Sequence, residues 1–153
     1  KEQCSLISSG GAGTMGFEVP AAMGAQVGRP DKVVWSIAGD GGFQMTLQEL
    51  ATVTEEKLPV KIAVFNNGYL GMVRQWQEMF FQNHLKAVPI PGPDYVKLAQ
   101  AYGIEALRVD DREDVMPALR RAQDHDGPFL IEFVVDPTPN VYPMVPPGAS
   151  LAE

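Results

Sequence analysis

The segment GDGG, residues 39–42, places one carboxylate between glycines directly after an apolar run. That run, VVWSIA at residues 33–38, is typical of a strand buried inside a sheet. Glycines let a backbone approach a ligand closely, and the amphipathic segment that follows predicts a helix whose first N–H groups attract an anion. Because Asp40 would repel an anion, the pattern predicts a phosphate held through a metal cation.

Two asparagines after the next apolar run extend this set of oxygen donors. Asn66 and Asn67 follow residues 60–65 directly, and 26 residues lie between Asp40 and Asn67. Carboxylate and amide oxygens are hard ligands that suit Mg²⁺ or Ca²⁺. The sequence contains neither a Cys/His zinc set nor a Walker loop. The residues therefore favour a hard divalent cation.

Five short apolar runs alternate with amphipathic segments along the chain. The runs are rich in β-branched residues, and most are apolar nearly throughout, as in strands that are covered on both faces. This alternation predicts an α/β fold in which helices flank both faces of a parallel sheet. The predicted strands are residues 4–7, 33–38, 60–65, 104–109 and 129–135, and the predicted helices lie around residues 19–27, 47–54, 72–80, 94–103 and 114–122.

Three polar, glycine-rich or asparagine-rich segments follow the first three predicted strands. They are residues 8–17 (SSGGAGTMGF), 39–42 and 66–71 (NNGYLG). Ligands of open parallel sheets bind beyond the carboxyl ends of the strands, so a site is expected there. We assign residues 1–136 to one domain and the Pro-rich residues 137–153 to a tail that is either a linker or a cover over the site.

Composition excludes several classes of protein. A chain of 153 residues is long enough for one domain with a core, and its net charge of −7 argues against a nucleic-acid partner. No apolar run approaches the ~20 residues of a membrane span. The single cysteine, Cys4, fits a reducing compartment, so we expect a cytoplasmic protein, or a plastid protein if the source is a plant. The abrupt start suggests a piece of a longer chain.

The spacing of GDG and NN resembles the metal and diphosphate motif of the thiamine diphosphate (ThDP) enzymes. The resemblance implies that Asp40 and Asn67 give side-chain oxygens to Mg²⁺, with the backbone carbonyl of Tyr69 as the third protein ligand. Diphosphate oxygens and water would complete an octahedron. Gly41 and Gly42 would offer backbone N–H groups to the phosphates.

Longer segments resemble the third domain of the acetolactate synthase (acetohydroxyacid synthase) catalytic subunit. They are SGGAGTMGFEVPAAMGAQ, NNGYLGMVRQWQEMFF and PMVPPGASLAE, and the resemblance runs from about residue 8 to the end of the chain. GMVRQWQ and PMV favour this family over pyruvate oxidase or benzoylformate decarboxylase, which share only GDG and NN. The resemblance implies decarboxylation of pyruvate and carboligation to a second 2-ketoacid, in branched-chain amino acid biosynthesis, on a Rossmann-like ThDP-binding fold.

The same resemblance assigns roles to further residues. Met15 would support the bent thiazolium and pyrimidine rings, and the carbonyl of Gly13 would accept from the pyrimidine amino group. Met72, Val73 and Trp76 would line the substrate entrance, where the herbicides of the family also bind. The residues alone favour a core position for Trp76, because it shares a helix face with Met72. Gly39, Gly71 and Met72 complete the predicted cofactor-binding set.

The catalytic acid is expected outside this chain. In the wider family a glutamate of the pyrimidine-binding domain, from the neighbouring subunit, touches the pyrimidine ring. Glu18 stands where many relatives have glycine, and we expect it to point away from the ring, with no catalytic residue in this chain. The resemblance also implies an FAD-binding middle domain, a homodimer or tetramer, and possible association with a regulatory small subunit. The fragment alone is expected to be inactive.

A second class of function stays open at this point. GAGTMG, residues 11–16, satisfies the G-x-G-x-x-G spacing of a Rossmann-type nucleotide-binding module, and Asp40 supplies an acid after a strand. This alternative does not explain Asn66 and Asn67 at their fixed distance from Asp40. Another ThDP enzyme of the pyruvate oxidase or decarboxylase group is the nearer alternative.

Overall fold

A computed structural model describes residues 5–146 and 148–150 of the chain. The helices are α1 (Glu18–Gly28), α2 (Asp40–Thr46), α3 (Leu50–Glu55), α4 (Gly71–Phe80), α5 (Tyr95–Ala101) and α6 (Val115–Asp124). The strands are β1 (Trp35–Gly39), β2 (Lys61–Asn66), β3 (Glu105–Val109) and β4 (Phe129–Val134). Short 3₁₀ turns at Leu47–Glu49 and Arg112–Asp114 lead into α3 and α6.

The four strands form one parallel sheet in the order β1-β2-β4-β3. Each strand returns to the sheet through a helical connection, as parallel pairing requires. In the register, Gly39 of β1 lies beside Phe65 of β2, and Phe65 lies beside Phe133 of β4. The carboxyl ends of these three strands therefore meet at one edge of the sheet, which confirms the predicted α/β class.

Apolar side chains cover both faces of the sheet. On one face Ile62, Val64 and Leu130 pack with residues of α1, α2, α3 and α5. On the other face Ala63 and Ile131 pack with α6. The alternation of the two clusters along β2 and β4 follows from the two-residue period of a strand.

Local rules account for most element boundaries. Asp94 caps α5 by accepting from the Lys97 N–H at 3.2 Å, and Gly103 follows the helix with φ 76°. Helix α6 begins at Val115, so Pro117 falls in its first turn, where a missing N–H costs nothing. Both boundaries were predicted from the sequence.

Two predicted elements differ from the structure. The prediction of a first strand at residues 4–7 is wrong for residues 5–7, which are exposed and belong to no strand, and Cys4 lies outside the described residues. The single helix predicted around residues 47–54 is split into α2, a 3₁₀ turn and α3. Residues 5–7 do not pair because a run of apolar residues indicates which residues suit a strand, and not which partner strand is present.

Candidate active site

Asp40 stands at the junction between β1 and α2, at the carboxyl edge of the sheet. Strand β1 ends at Gly39, whose backbone is extended, and Asp40 is already the first residue of α2. No loop separates Asp40 from the strand, because Gly41 and Gly42 continue the helix directly. This arrangement buries Asp40, which is 3% exposed.

The Asp40 carboxylate has no cationic partner among the described residues. Its Oδ2 accepts from the backbone N–H of Gly68 at 2.9 Å. Burial raises the pKa of the Asp40 carboxyl above its usual range, against the backbone N–H bonds from Gly68 and Gly41 that lower it. A buried carboxylate of this kind is costly unless a positive charge faces it, so the position fits a bound cation.

The loop after β2 is held by its own asparagines. Oδ1 of Asn67 accepts from the Tyr69 N–H at 2.9 Å, and Oδ1 of Asn66 accepts from the Gly68 N–H at 3.1 Å. The Gly68 carbonyl in turn accepts from the Ile90 N–H at 2.8 Å. The loop that carries the predicted ligands Asn67 and Tyr69 is thus tied to Asp40 on one side and to residues 88–90 on the other.

Close packing explains the glycine at position 41. A Cβ there would lie 2.8 Å from the Ile90 side chain, 3.2 Å from Met15 and 3.3 Å from Leu70. A Cβ on Gly71 would lie 3.3 Å from the Asn67 amide nitrogen. The structure therefore brings Met15, Asp40, Gly41, Asn67, Tyr69 and Gly71 together at this edge of the sheet.

Glu18 occupies the space beside the second glycine of α2. A Cβ on Gly42 would lie 2.8 Å from Oε1 of Glu18, and Oε2 of Glu18 is buried without a hydrogen-bond partner. The Glu18 carboxylate thus packs against the start of α2. Gly13, by contrast, lies in the exposed turn before α1 with φ 61°, where its N–H donates to the Ser9 carbonyl at 2.7 Å.

Helix α4 presents its apolar side to solvent. Met72 is 54% exposed, Val73 is 46% exposed, and Trp76 is 36% exposed and packs edge-on against Phe80. The core alternative for Trp76 is therefore wrong. The buried residue of α4 is Gln75, because the polar side of the helix is used to bind another segment.

That segment is the beginning of the Pro-rich tail. The amide of Gln75 exchanges two hydrogen bonds with the backbone of Val141, at 2.8 and 3.0 Å. Asn140 donates to Glu78 at 2.9 Å, and Arg74 donates to the Pro137 carbonyl at 2.5 Å. Residues 137–141 thus lie along α4, while residues 147 and 151–153 are outside the described part of the chain.

Two charged residues near the site were missed by the sequence analysis. Glu132 of β4 is 2% exposed, and its carboxylate accepts from the Asn66 amide and from Arg108, both at 2.8 Å. The available clue was a glutamate inside the apolar run FLIEFVV, residues 129–135. A charge at such a position requires partners inside the fold.

The donor chemistry of the site suits a hard cation. Residues 5–146 and 148–150 contain no cluster of three or more histidine, cysteine or acidic side chains able to bind a metal. A cation beside Asp40 therefore needs amide, carbonyl or ligand oxygens to complete its coordination, which is the set that Mg²⁺ accepts. The oxygens of Asn67 and Tyr69, in the neighbouring loop, fit that requirement.

These features define an α/β domain with a glycine-rich candidate site at the carboxyl edge of its sheet. The family model "Thiamine pyrophosphate enzyme, C-terminal TPP binding domain" matches residues 1–133, and the chain belongs to this family. Thiamine pyrophosphate is another name for ThDP. The match decides against the dinucleotide alternative, and the described residues before GAGTMG form no strand, which that alternative requires.

Relatives of known name cover nearly all of the chain. It is 49% identical to an acetolactate synthase of Mycobacterium avium, over 94% of this chain and 24% of that protein. It is 47% identical to the acetolactate synthase isozyme 2 large subunit of Escherichia coli K12, over 97% of this chain and 27% of that protein. The chain thus spans about a quarter of the length of these relatives.

A solved structure shows the same fold. The thiamine diphosphate-dependent 4-hydroxybenzoylformate decarboxylase of Rhodococcus jostii RHA1 is 34% identical and superposes with a TM-score of 0.76. The match covers 82% of this chain and 24% of that chain. In the part of the chain that the structure describes, no helix is long and apolar enough to cross a membrane.

Proposed function

We propose that this chain is the ThDP-binding domain of an acetolactate synthase catalytic subunit. The parent enzyme would decarboxylate pyruvate and join the resulting two-carbon unit to a second 2-ketoacid. Relatives named acetolactate synthase, 47–49% identical over nearly the whole chain, support this assignment. The single observation that supports the site assignment is the buried Asp40 carboxylate. It has no cationic partner among the described residues, and its hydrogen bond to the Gly68 N–H connects it to the loop that contains Asn67.

In this proposal the chain binds and orients the cofactor. Asp40, Asn67 and the carbonyl of Tyr69 hold Mg²⁺, which neutralises the diphosphate that Asp40 would otherwise repel. The N–H groups of Gly41 and Gly42 face the phosphates at the start of α2. ThDP, when bound, supplies the carbanion chemistry of the reaction.

The remaining contacts define the ring side and the entrance. Met15, whose methyl packs near position 41, supports the rings, and the carbonyl of Gly13 holds the pyrimidine amino group. Met72, Val73 and Trp76 form an exposed apolar wall on α4 that selects the incoming 2-ketoacid. Gly39 and Gly71 allow the backbone to approach the cofactor at both strand ends.

The proposal extends to the rest of the enzyme. The activating glutamate comes from the pyrimidine-binding domain of a neighbouring subunit, so the enzyme is a dimer or tetramer, and FAD binds a middle domain outside this chain. The large-subunit names of two relatives support a small regulatory partner. We place the enzyme in the cytoplasm, or in the plastid of a plant. The isolated domain lacks the acid and is inactive.

The reaction is tested by product analysis with the intact enzyme. Pyruvate, ThDP and Mg²⁺ should yield acetolactate, which acid converts to acetoin for colorimetric detection. Omission of ThDP, or chelation of Mg²⁺, should abolish the product. The solved decarboxylase relative makes simple decarboxylation the second candidate. Release of acetaldehyde without acetolactate would favour that candidate and overturn the carboligase assignment.

A further inference from the structure

Asn66, the first asparagine of the NN pair, has an orientation fixed by a buried carboxylate. Its Nδ2 lies 2.8 Å from Oε1 of Glu132, which is 2% exposed. A carboxylate accepts hydrogen bonds and does not donate them, so the NH₂ end of the amide must face Glu132. The carbonyl end of Asn66 therefore faces the Gly68 N–H, 3.1 Å away.

The Gly68 N–H is shared between two acceptors. It lies 2.9 Å from Oδ2 of Asp40 as well as 3.1 Å from Oδ1 of Asn66. Gly68 has φ 69°, and a Cβ there would meet nothing within 4 Å, so the backbone angle alone requires glycine. This single amide joins the Asp40 carboxylate to the loop that carries Asn67, and Asn66 sets its direction.

Arg108 contacts Glu132 from the solvent-exposed side of this set of residues. Its Nε lies 2.8 Å from Oε2 of Glu132, and its second nitrogen reaches Asp94 at 3.1 Å. A buried carboxylate is stable only when it is paired, and Arg108 supplies that pairing from a side chain 43% exposed. With Oε2 occupied by Arg108, Oε1 of Glu132 is left to Asn66.

We propose that Arg108, Glu132 and Asn66 are positioning residues that hold the Gly68 amide against Asp40 and so preorganise the metal site. The inference rests on the proposed ThDP–Mg²⁺ function, and it gives the first asparagine of the NN pair a role distinct from that of a metal ligand. None of the three residues touches the metal. Each acts through the geometry of the loop between Asn66 and Tyr69.

The test exchanges the donor and the acceptor between two positions, and the double variant keeps both size and total charge. In the full-length enzyme, Asn66→Asp places a second carboxylate beside that of Glu132, and the two repel each other. In Glu132→Gln the new NH₂ group must face another donor, either the Asn66 amide or the Arg108 guanidinium. Each single variant should weaken Mg²⁺ binding, measured by calorimetry with saturating ThDP, by about tenfold or more. In the double variant the new amide at position 132 can donate to the new carboxylate at position 66 and still accept from Arg108. Its affinity should therefore return to within about threefold of the wild type.

A second arginine-paired carboxylate, at the other end of the sheet and more exposed than Glu132, serves as the control. Glu105 of β3 is paired with Arg121, and Glu105→Gln should leave Mg²⁺ affinity unchanged. Wild-type Mg²⁺ affinity in Asn66→Asp would overturn the proposed positioning role. A double variant whose Mg²⁺ affinity is no higher than that of the weaker single variant would overturn it as well. Failure of the wild type itself to bind ThDP and Mg²⁺ would instead overturn the proposed function.

A second measurement needs no metal. Hydrogen exchange of the Gly68 amide in the metal-free enzyme should be accelerated about tenfold by Asn66→Asp and restored in the double variant. This readout remains valid for variants that bind no cofactor. An unchanged exchange rate in Asn66→Asp would show that Asn66 does not hold the Gly68 amide, and the proposed positioning role would be wrong.

Discussion

At the amino end of the sheet, a charged side chain is buried by packing against fixed backbone. Lys61 of β2 is 2% exposed, and its Nζ donates to the carbonyls of His125 and Gly127 at 2.6 and 2.5 Å. These carbonyls belong to the connection between α6 and β4, so Lys61 ties β2 to that connection.

At the carboxyl end, a buried charge is paired through side chains that contact further groups. Glu132 is equally buried and accepts a hydrogen bond from the Asn66 amide. The side-chain carbonyl of Asn66 accepts from the Gly68 N–H, which also donates to Asp40. Both ends satisfy the requirement that a buried charge be partnered. The difference lies in the partner. Lys61 is paired with backbone carbonyls, whereas Glu132 is paired with an amide side chain that also contacts the Gly68 N–H of the candidate site.

Among the variants, removal of the Asp40 carboxylate should have the largest effect, and it should act on ThDP affinity. Asp40→Ala in the intact enzyme leaves the diphosphate without its cation, so ThDP affinity in the presence of Mg²⁺ should fall at least ~10²-fold, which is ~2.7 kcal/mol. Calorimetry measures this loss. Asp31→Ala, which removes an exposed acid paired with Arg29, is the control and should bind ThDP normally. Normal Mg²⁺-dependent affinity in Asp40→Ala would remove Asp40 from the site.

Removal of the amino-end charge should affect stability and leave the site intact. Lys61→Met keeps most of the side-chain volume but leaves two carbonyls without their donor, so the free energy of unfolding should fall by about 2 kcal/mol. ThDP affinity should stay within about twofold of the wild type. Arg121→Met, at an exposed ion pair nearby, should cost less than about 1 kcal/mol. A Lys61→Met enzyme that loses ThDP binding would contradict the separation of the two ends.

The apolar side of helix α4 should affect substrate selectivity without affecting cofactor binding. Trp76→Leu removes an exposed indole beside the proposed entrance, and pocket contacts of this size are worth ~1–3 kcal/mol. The preference between pyruvate and 2-ketobutyrate as acceptor should change tens-fold, as competition experiments would measure. Lost ThDP binding with unchanged preference would show that Trp76 serves the cofactor side.

The smallest expected effect is the pH dependence of the amino end. Burial lowers the pKa of the Lys61 ammonium below its ordinary 10.5, while Asp126 partly raises it. As pH rises through the lowered pKa, the folded state releases its proton before the unfolded state does, so stability increases until about pH 10.5. The thermal midpoint of the wild type relative to Lys61→Met should therefore rise over the alkaline range. A falling difference would mean that the fold favours the charged form.

The sequence predicted the sheet and the location of the candidate site because both depend on local patterns. The ligand roles of Asp40, Asn67 and Tyr69 stay predictions. Apolar runs and caps such as Asp94 located four of the strands and the start of α5, and the spacing from Asp40 to Asn67 placed both at one edge. The pairing of Glu132 with Asn66 was not predictable in this way. It joins two strands 66 residues apart in sequence, and only the register of β2 with β4 brings the side chains together.

The side of α4 that faces solvent was ambiguous for a similar reason. Its apolar stripe indicates an amphipathic helix but not the surface that it covers. The structure shows that Gln75 and Glu78 bind the tail at Val141 and Asn140, which turns Trp76 outward. A polar side that binds backbone can be as buried as an apolar one, and hydrophobic periodicity does not register it.

The most direct test of the account is the position of the metal. Mn²⁺ can replace Mg²⁺ in a crystal of the intact enzyme with ThDP, and its anomalous scattering locates the ion independently of the protein map. We predict one peak within about 2.5 Å of a carboxylate oxygen of Asp40, Oδ1 of Asn67 and the carbonyl oxygen of Tyr69. Bound ThDP with the Mn²⁺ peak away from Asp40, or with no peak at all, would contradict it.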